Sequence, residues 1–216
     1  MQYSRIPLTV CLLGFISASQ AAEPSFDCSK ANGSIEELIC QNDELAALDR
    51  KLAKYFKLAT ESYPAEELKT LKAGQRGWIK GRNDCWKSDD KFQCVRSHYQ
   101  HRITDLQITT GSAEITHSAV FICTPEKHDS ITAVFYNETE LPAAVVTRLS
   151  NDIDEQKLLF LTRSASGAKY LGQNVEFWIK GTQATVSWGV IDTARFVCHA
   201  SVTPAPNSHS NKHRST

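Results

Sequence analysis

Apolar positions between residues 34 and 107 recur at steps of three and four, the period of an amphipathic α-helix. A first stripe, with a break at 41–43, ends before Pro64, and Pro64 itself suits the first turn of a second helix. A polar stretch at 87–90 precedes a third stripe. The three stripes are Leu38, Leu45, Leu48, Leu52, Tyr55 and Leu58 or Ala59; Leu68, Leu71, Gln75, Trp78 and Ile79; and Phe92, Val95, Tyr99, Ile103 and Leu106. The pattern predicts a small antiparallel helical hairpin or three-helix unit.

The start of the first helix is marked by the order Ser34-Ile35-Glu36-Glu37. This order fits a capping box, in which the serine hydroxyl and the glutamate three residues later each bind an amide that has no partner inside the helix. We therefore expect Ser34 to cap the first helix.

The pattern changes after 109–112, where short runs rich in β-branched and aromatic residues alternate with turn-forming clusters. The runs are 119–122, 131–136, 144–146, 158–161, 175–179, 184–188 and 194–197. Seven or eight short strands over about 90 residues indicate a small antiparallel barrel or sandwich. The sequence thus predicts an α+β protein of two domains, a helical one over 23–108 and a β one over 115–201, followed by a disordered tail over 203–216 because the tail lacks apolar residues to bury.

The first 22 residues have the layout of a secretory signal: a basic residue, an apolar stretch from Ile6 to Ile16, and small residues near Ala22. The stretch is about half of the ~20 residues that cross a bilayer, so no membrane span is expected. Cys11 suggests a lipid anchor, but it lies inside the apolar stretch and follows Val10 instead of a small residue. We expect a periplasmic or secreted protein without that anchor.

Six cysteines follow the signal: Cys28, Cys40, Cys85, Cys94, Cys123 and Cys198. An even number in an exported chain favours disulfides. Four precede residue 110 and two follow it, so we expect each half to form its own bridges. We favour Cys28 with Cys40, Cys85 with Cys94 and Cys123 with Cys198, although the pairing in the first half stays open. Metal ligation is disfavoured because the chain has no C-x-x-C pair and its histidines are scattered.

The charges of the chain are balanced, with 24 acidic and 24 basic residues. This balance gives no reason to expect a nucleic-acid partner. Residues 114–204 carry a small excess of acids, 10 against 7 bases, which permits a basic partner.

Two elements of the β half resemble the signature of the membrane-bound and periplasmic inhibitors of c-type lysozyme. The first is S-G-x-x-Y at Ser166, Gly167 and Tyr170, and the second is F-W-x-K-G at Phe177, Trp178, Lys180 and Gly181. The resemblance implies an eight-stranded antiparallel barrel over 115–201 that inserts Ser166 and Lys180 into the lysozyme cleft. It also makes Gly167, Lys169 and Tyr170 candidates for the contact rim.

The chemistry of that implication is coherent. A c-type lysozyme works with two carboxyl groups, one protonated and one ionised. A lysine ammonium pairs with the ionised group, and a serine hydroxyl, which donates and accepts, suits the protonated one. Without the resemblance, Ser166 would belong to an ordinary turn and Lys180 to an ordinary strand end, and Phe177 and Trp178 read as barrel core and wall.

The helical half resembles the domain named for the lysozyme inhibitor LprI. The residues that carry this resemblance are FDCSKA at 26–31, IEELIC at 35–40, DELAALDRKL at 43–52, Tyr55, and QRGWIKGRNDC at 75–85. Lysozyme inhibition is implied here by association only. Four of its residues could form a buried polar cluster that holds the helices in register, namely Asp49, Gln75, Trp78 and Arg82.

The favoured hypothesis is therefore a non-enzymatic inhibitor of c-type lysozyme that needs no cofactor or metal. The alternative is a periplasmic binding or adaptor protein that uses its helical domain. An enzyme is disfavoured because no histidine lies near Ser166 in sequence to serve as its base. His98 and His101, three residues apart, make a poor metal site without a nearby carboxylate or thiolate.

Overall fold

The computed structural model describes residues 23–124, 130–150, 153–190 and 194–201. The predicted signal over 1–22 and the predicted tail over 203–216 lie outside these residues. None of the helices in the described ranges is long and apolar enough to span a bilayer.

The first part of the chain is helical. It contains the helices α1 (Ser34–Cys40), α2 (Asp43–Ser62), α3 (Ala65–Asn83) and α4 (Lys91–Thr109), with short 3-10 turns at Cys28–Lys30 and Asp84–Lys87. Four helices form where a hairpin or three-helix unit was predicted, because the break at 41–43 separates α1 from α2. The Asn42 side chain caps α2 by accepting a hydrogen bond from the Leu45 amide at 3.1 Å. As predicted, Pro64 marks the start of α3.

The predicted capping box at the start of α1 is wrong. The residue before the helix is Gly33, and no side chain caps it. Glu36, rather than Glu37, reaches back and accepts a hydrogen bond from the Asn32 amide at 2.7 Å. Because the backbone enters the helix one residue early, Ser34 already lies inside the first turn, where its hydroxyl cannot cap.

The helical core is built by α1, α2 and α4. Its fully buried side chains include Ile39, Leu45, Val95, Tyr99, Ile103 and Leu106. The apolar stripe predicted for α3 packs less deeply than expected, and Ile79 is 37% exposed. The buried residues of α3 are the polar Gln75, which belongs to the predicted stripe, and Arg82, and both were expected in a buried polar cluster. This helix therefore closes the core with polar contacts.

The second part of the chain is a closed antiparallel barrel of eight strands, each paired with its neighbour in sequence and β1 with β8. The strands are β1 (His117–Thr124), β2 (Ser130–Tyr136), β3 (Ala143–Ser150), β4 (Ile153–Thr162), β5 (Ala168–Gly172), β6 (Val175–Lys180), β7 (Gln183–Trp188) and β8 (Ala194–Ala200). The pattern analysis missed β5, since this five-residue strand buries only Tyr170.

Alternate residues of the strands fill the barrel with apolar side chains such as Phe135, Leu159 and Phe177. Cys123 and Cys198 face each other across the β1–β8 seam and form a disulfide. Further disulfides join Cys28 to Cys40 and Cys85 to Cys94. These are the three pairs favoured from the sequence, and the bridge at the seam joins the first strand to the last.

The loop between β2 and β3 contacts the helical domain. The Glu140 amide donates to Gln107 Oε1 at 2.8 Å, and the Leu141 amide donates to Thr104 Oγ1 at 2.9 Å. Lys51 forms an ion pair with the Glu140 carboxylate. Both α4 acceptors are buried, so the barrel satisfies polar groups that α4 would otherwise bury without a partner.

Candidate functional site

The two elements that suggested a function lie at the β4–β5 loop and at the end of β6. Ser166 belongs to the loop over 163–167, which joins β4 to β5, and Lys180 is the last residue of β6, before the turn to β7. In a barrel whose consecutive strands are antiparallel neighbours, alternate loops lie at the same end. The two loops therefore share one end of the barrel with the β2–β3 loop that contacts the helical domain.

Gly167 brings these two loops into contact. Its φ of +69° lies in the left-handed region, which glycine adopts without strain. A Cβ atom at this position would lie 2.1 Å from the Ile179 carbonyl oxygen and 3.0 Å from Lys180 Cγ. No larger residue fits, so this glycine lets the backbone beside Ser166 pack directly on the end of β6.

Hydrogen bonds to main-chain oxygens hold the Ser166 loop. The indole Nε1 of Trp178 donates to the Ser166 carbonyl oxygen at 2.9 Å. The Ser164 hydroxyl donates to the same oxygen at 2.6 Å. The carbonyl of Ser166 is thus fixed from two sides, and its hydroxyl lies on an exposed residue.

Trp178 lies on the outer face of β6, on the same side as Glu176 and Lys180, while Phe177 points into the barrel. The Lys180 ammonium lies 3.8 Å from the centroid of the Trp178 ring, and that of Lys169 lies 4.6 Å from it. Lys169 also pairs with Glu176 at 3.1 Å. In the part of the chain that the structure describes, no carboxylate lies within ion-pair distance of Lys180. Lys180 is therefore a cation of this surface that is available to a partner.

Tyr170 and Phe177 belong to the interior of the barrel. Tyr170 is 5% exposed, and its ring centroid lies 5.5 Å from that of Phe135. Burial raises the pKa of the Tyr170 hydroxyl above its ordinary value. The tyrosine of the first element thus packs inside the barrel under the loop, and the surface at this end is formed by Ser166, Lys169, Trp178 and Lys180.

The polar residues singled out in the helical domain are linked through Tyr99. Arg82 Nη1 donates to the Tyr99 hydroxyl at 2.8 Å, and this hydroxyl donates to Asp49 Oδ1 at 2.8 Å. Burial raises the pKa of Tyr99 well above its usual range. Gln75 and Trp78 form hydrogen bonds with other residues. Gln75 Oε1 accepts from Arg102 Nε, and Trp78 Nε1 donates to the His98 carbonyl oxygen. The Asp49–Tyr99–Arg82 chain connects α2, α4 and α3, which is a structural role.

The histidines of α4 do not form a metal site with available ligands. His98 lies close to Cys85 and Cys94, within 4.8 Å of their sulfur atoms. Both sulfurs are joined in a disulfide and offer no thiolate. The ring of His101 packs edge-on against Phe160 of β4, with centroids 4.2 Å apart. Burial lowers the pKa of His98, which favours its neutral form.

A groove of about 560 Å³ lies between α4 and β4. Its walls are formed by Trp78, Ser97, His98, His101, Arg102, Asp105, Leu158 and Phe160. Arg102 and Asp105 of this lining pair with each other. Residues of both domains line the groove, and the sequence offered no signal for it because these residues come from distant segments.

Sequence reasoning assigned Trp178 to the barrel wall and missed its contacts with Ser166 and Lys180. A signal was available, because residues two apart in a strand share a face, and this alternation places Trp178 and Lys180 on the same side. The carbonyl contact with Ser166 could not be read in this way, since it depends on how the β4–β5 loop folds back.

Two family models match the chain. Residues 28–107 match the family described as lysozyme inhibitor LprI, and residues 121–194 match the membrane-bound lysozyme inhibitors of c-type lysozyme. The resemblance of each half to a lysozyme-inhibitor family is thus confirmed. Both matched families are inhibitors and not enzymes, which supports an inhibitory role for the chain.

Curated relatives match over most of the chain. The protein "Lipoprotein LprI" of Mycobacterium bovis is 28% identical over 185 residues, which cover 86% of this chain and 88% of the relative. "Lipoprotein LprI" of Mycobacterium tuberculosis (strain H37Rv) matches with the same identity and coverage. No solved structure matches the chain significantly. The aligned region therefore spans both domains, which follow each other in the same order in this chain and in the relatives.

Proposed function

We propose, from the match of both domains to inhibitor families, that the protein inhibits c-type lysozyme by placing Ser166 and Lys180 in the active-site cleft. The observation that carries the proposal is the contact between the two loops, in which Gly167 packs on the end of β6 beside Lys180. Two residues 14 positions apart in sequence thereby form one projecting surface. No chemical step by the inhibitor is required.

Lys180 supplies the charge of this plug. Its ammonium is exposed and has no carboxylate partner in the described ranges, so a partner's carboxylate can bind it without first breaking an ion pair. The ionised carboxyl group of a c-type lysozyme is such a partner. Once the pair is shielded from water, each N–H···O contact is strengthened by charge.

Ser166 supplies a neutral hydrogen-bonding group. Its carbonyl is already bound by Trp178 and Ser164, which holds the main chain of the loop in place. The hydroxyl donates and accepts, so it complements the second lysozyme carboxyl group, which is protonated. A serine at this position therefore fits a cleft that holds one charged and one neutral acid.

The test is inhibition of a c-type lysozyme by the oxidised mature protein and by the variant Ser166→Ala/Lys180→Ala. Removing one partner of a hydrogen-bonded charge pair in an interface costs about 2–5 kcal/mol, so we expect affinity to fall by roughly 30-fold to several-thousand-fold. Inhibition by the wild type should be competitive and should weaken with added salt.

The matched control is Lys157→Ala, which removes a lysine from β4 whose ammonium already pairs with Glu155 at 3.1 Å. It should inhibit like the wild type. Full inhibition by a double variant whose circular dichroism is native would remove the plug from consideration and direct attention to the helical domain. Absence of inhibition by the wild type would contradict the function itself.

We further propose that the protein acts outside the cytoplasm. The three disulfides fit an oxidising compartment. The relatives carry the name lipoprotein, whereas the position of Cys11 led us to expect no lipid anchor. The mass of the protein purified from its native envelope decides between cleavage near Ala22 and a lipidated Cys11.

The second candidate function is a binding or adaptor role of the helical domain, and the groove between α4 and β4 favours it. In that case a partner would occupy the groove while the barrel serves as its other wall. Replacing His101 at the groove and Lys180 at the plug in separate variants distinguishes the two. Loss of lysozyme binding only with Lys180→Ala supports the inhibitor.

A further inference from the structure

We infer that Trp178 is the positioning residue of the plug, because its indole contacts Ser166 by its edge and Lys180 by its face. The inference rests on the proposed function and deepens it. The two plug residues lie on different elements, Ser166 in the β4–β5 loop and Lys180 at the end of β6, so their side chains would otherwise each sample their own range of positions. A single rigid side chain that binds both sets their spacing before the partner arrives.

The edge contact fixes the serine. Nε1 of Trp178 donates a hydrogen bond of 2.9 Å to the Ser166 carbonyl oxygen. The ring itself is held on the outer face of β6, opposite Lys169 on β5 and Thr185 on β7. A carbonyl bound to a strand residue cannot move freely with its loop, so the main chain from which the Ser166 hydroxyl projects keeps its position relative to the barrel.

The face contact fixes the lysine. A cation over an indole ring is attracted by the negative face of the π system. At 3.8 Å from the ring centroid, the Lys180 ammonium is the nearer of the two cations that contact this ring. A lysine side chain loses much rotamer freedom when it is immobilised on binding, and holding it in advance reduces that loss. The indole also shields one side of the ammonium from water.

Glu176 keeps the second cation from competing. Lys169 lies 4.6 Å from the same ring centroid, and its ammonium pairs with the Glu176 carboxylate at 3.1 Å. This ion pair offsets the charge of Lys169 and weakens its attraction to the ring. Lys180, which is nearer to the centroid, has no such pair among the described residues.

Two substitutions separate the edge contact from the face contact. Trp178→Phe keeps an aromatic face but removes the N–H donor, and Trp178→Leu removes both. Competitive inhibition of a c-type lysozyme should weaken about threefold in Trp178→Phe and about tenfold or more in Trp178→Leu. The control is Trp86→Leu, which removes an exposed tryptophan of the helical domain that also lies near a lysine, Lys87. This control should inhibit like the wild type.

A measurement on the free protein tests positioning without lysozyme. Protons held over an indole face are shifted upfield, so the Cε methylene signals of Lys180 should lie upfield in the wild type. They should shift less in Trp178→Phe and return to ordinary lysine positions in Trp178→Leu. A role in barrel stability alone would not produce this order of chemical shifts.

The outcomes separate the inference from the proposed function. Unshifted Lys180 signals in the wild type, or full inhibition by a natively folded Trp178→Leu, would overturn the positioning role. A wild type that shows the upfield signals but inhibits no c-type lysozyme would leave Trp178 as a positioning residue and contradict the function. Shifted signals together with graded inhibition support both.

Discussion

The two domains use polar side chains in opposite ways. The buried polar residues of the described chain are Asp49, Gln75, Arg82, Thr104 and Gln107, and all of them lie in the helical domain. The buried residues of the barrel are apolar in its described part, and the half-buried Arg148 of β3 places its guanidinium over the Phe196 ring, 4.7 Å from the centroid. In the helical domain the buried charges of Asp49 and Arg82 are hydrogen-bonded to Tyr99 of a neighbouring helix. Lys180 at the end of the barrel has no ion-pair partner among the described residues.

This difference separates structural polar residues from those that can serve a partner. A buried charge needs partners within its own protein, since leaving it unpaired costs several kcal/mol. Asp49 and Arg82 have such partners through Tyr99 and have nothing left to offer another molecule. An exposed cation bears no such cost. The chemical character of a residue thus indicates function only together with its surroundings, and the variants below test that distinction.

The largest expected effect is on the barrel, through the disulfide at its seam. A disulfide stabilises the folded state by lowering the entropy of the unfolded chain, and this stabilisation grows with the length of the loop that the bridge closes. Cys123 and Cys198 are 75 residues apart in sequence, whereas Cys85 and Cys94 are 9 apart. Replacing Cys123 and Cys198 with serine should destabilise the barrel by about 4 kcal/mol. Replacing Cys85 and Cys94 with serine should destabilise the helical domain by about 2.5 kcal/mol. Hydrogen exchange resolved by region measures each value. Equal losses would mean that loop length does not control the stability of this chain.

Next in size is Tyr99→Phe in the helical domain. The substitution keeps the ring but removes the hydroxyl that joins Arg82 to Asp49, and we expect a loss of about 2 kcal/mol in the free energy of unfolding. Urea unfolding measures it, with Tyr136→Phe on β2 as the control that removes a tyrosine hydroxyl from the barrel. Lysozyme inhibition by the folded variant should be unchanged. A fall in inhibition without a fall in stability would contradict a purely structural role of Tyr99.

The period of apolar residues in the sequence predicted the helices correctly where those residues are the ones that the fold buries. The stripes of α2 and α4 are buried as expected, because each helix packs one apolar face on the other. The apolar stripe of α3 is less buried than predicted, with Ile79 37% exposed, whereas the expected burial of Arg82 is confirmed. Arg82 is buried because the Tyr99 hydroxyl accepts its hydrogen bond from another helix, and no local pattern encodes a partner that lies 17 residues away.

The candidate site was predictable only in part. Motif resemblance named Ser166 and Lys180, but the same motif includes Tyr170, which the alternation of β5 places in the core. The contact between the loops depends on Gly167, whose left-handed φ and close approach to the Ile179 carbonyl arise from the three-dimensional path of the β4–β5 loop. Such contacts between loops leave no periodic trace in sequence.

The smallest expected effect is a dependence of barrel stability on acid pH through Glu155. The indole N–H of Trp188 donates to Glu155 Oε2 at 2.7 Å. This hydrogen bond, followed by that of Lys157, lowers the pKa of Glu155 below the ordinary value of 4.5. A lowered pKa means that the folded barrel prefers the carboxylate, so the stabilisation is full above pH 4.5 and is lost as pH falls through the folded pKa.

Because the Glu155 side chain is 46% exposed, solvent screens the effect to a fraction of a kcal/mol. The variant Glu155→Gln keeps an acceptor for Trp188 but carries no charge. Its stability should fall short of the wild type at neutral pH and equal it at the acid end of a series of urea unfolding curves. Glu138→Gln, in the β2–β3 loop, is the control for removal of a negative charge elsewhere in the barrel. If the free energies of unfolding of the wild type and Glu155→Gln differ by the same amount at every pH, the charge of Glu155 does not contribute to the stability of the barrel. Stabilisation by charged side chains would then be stronger evidence of burial, as in the helical domain.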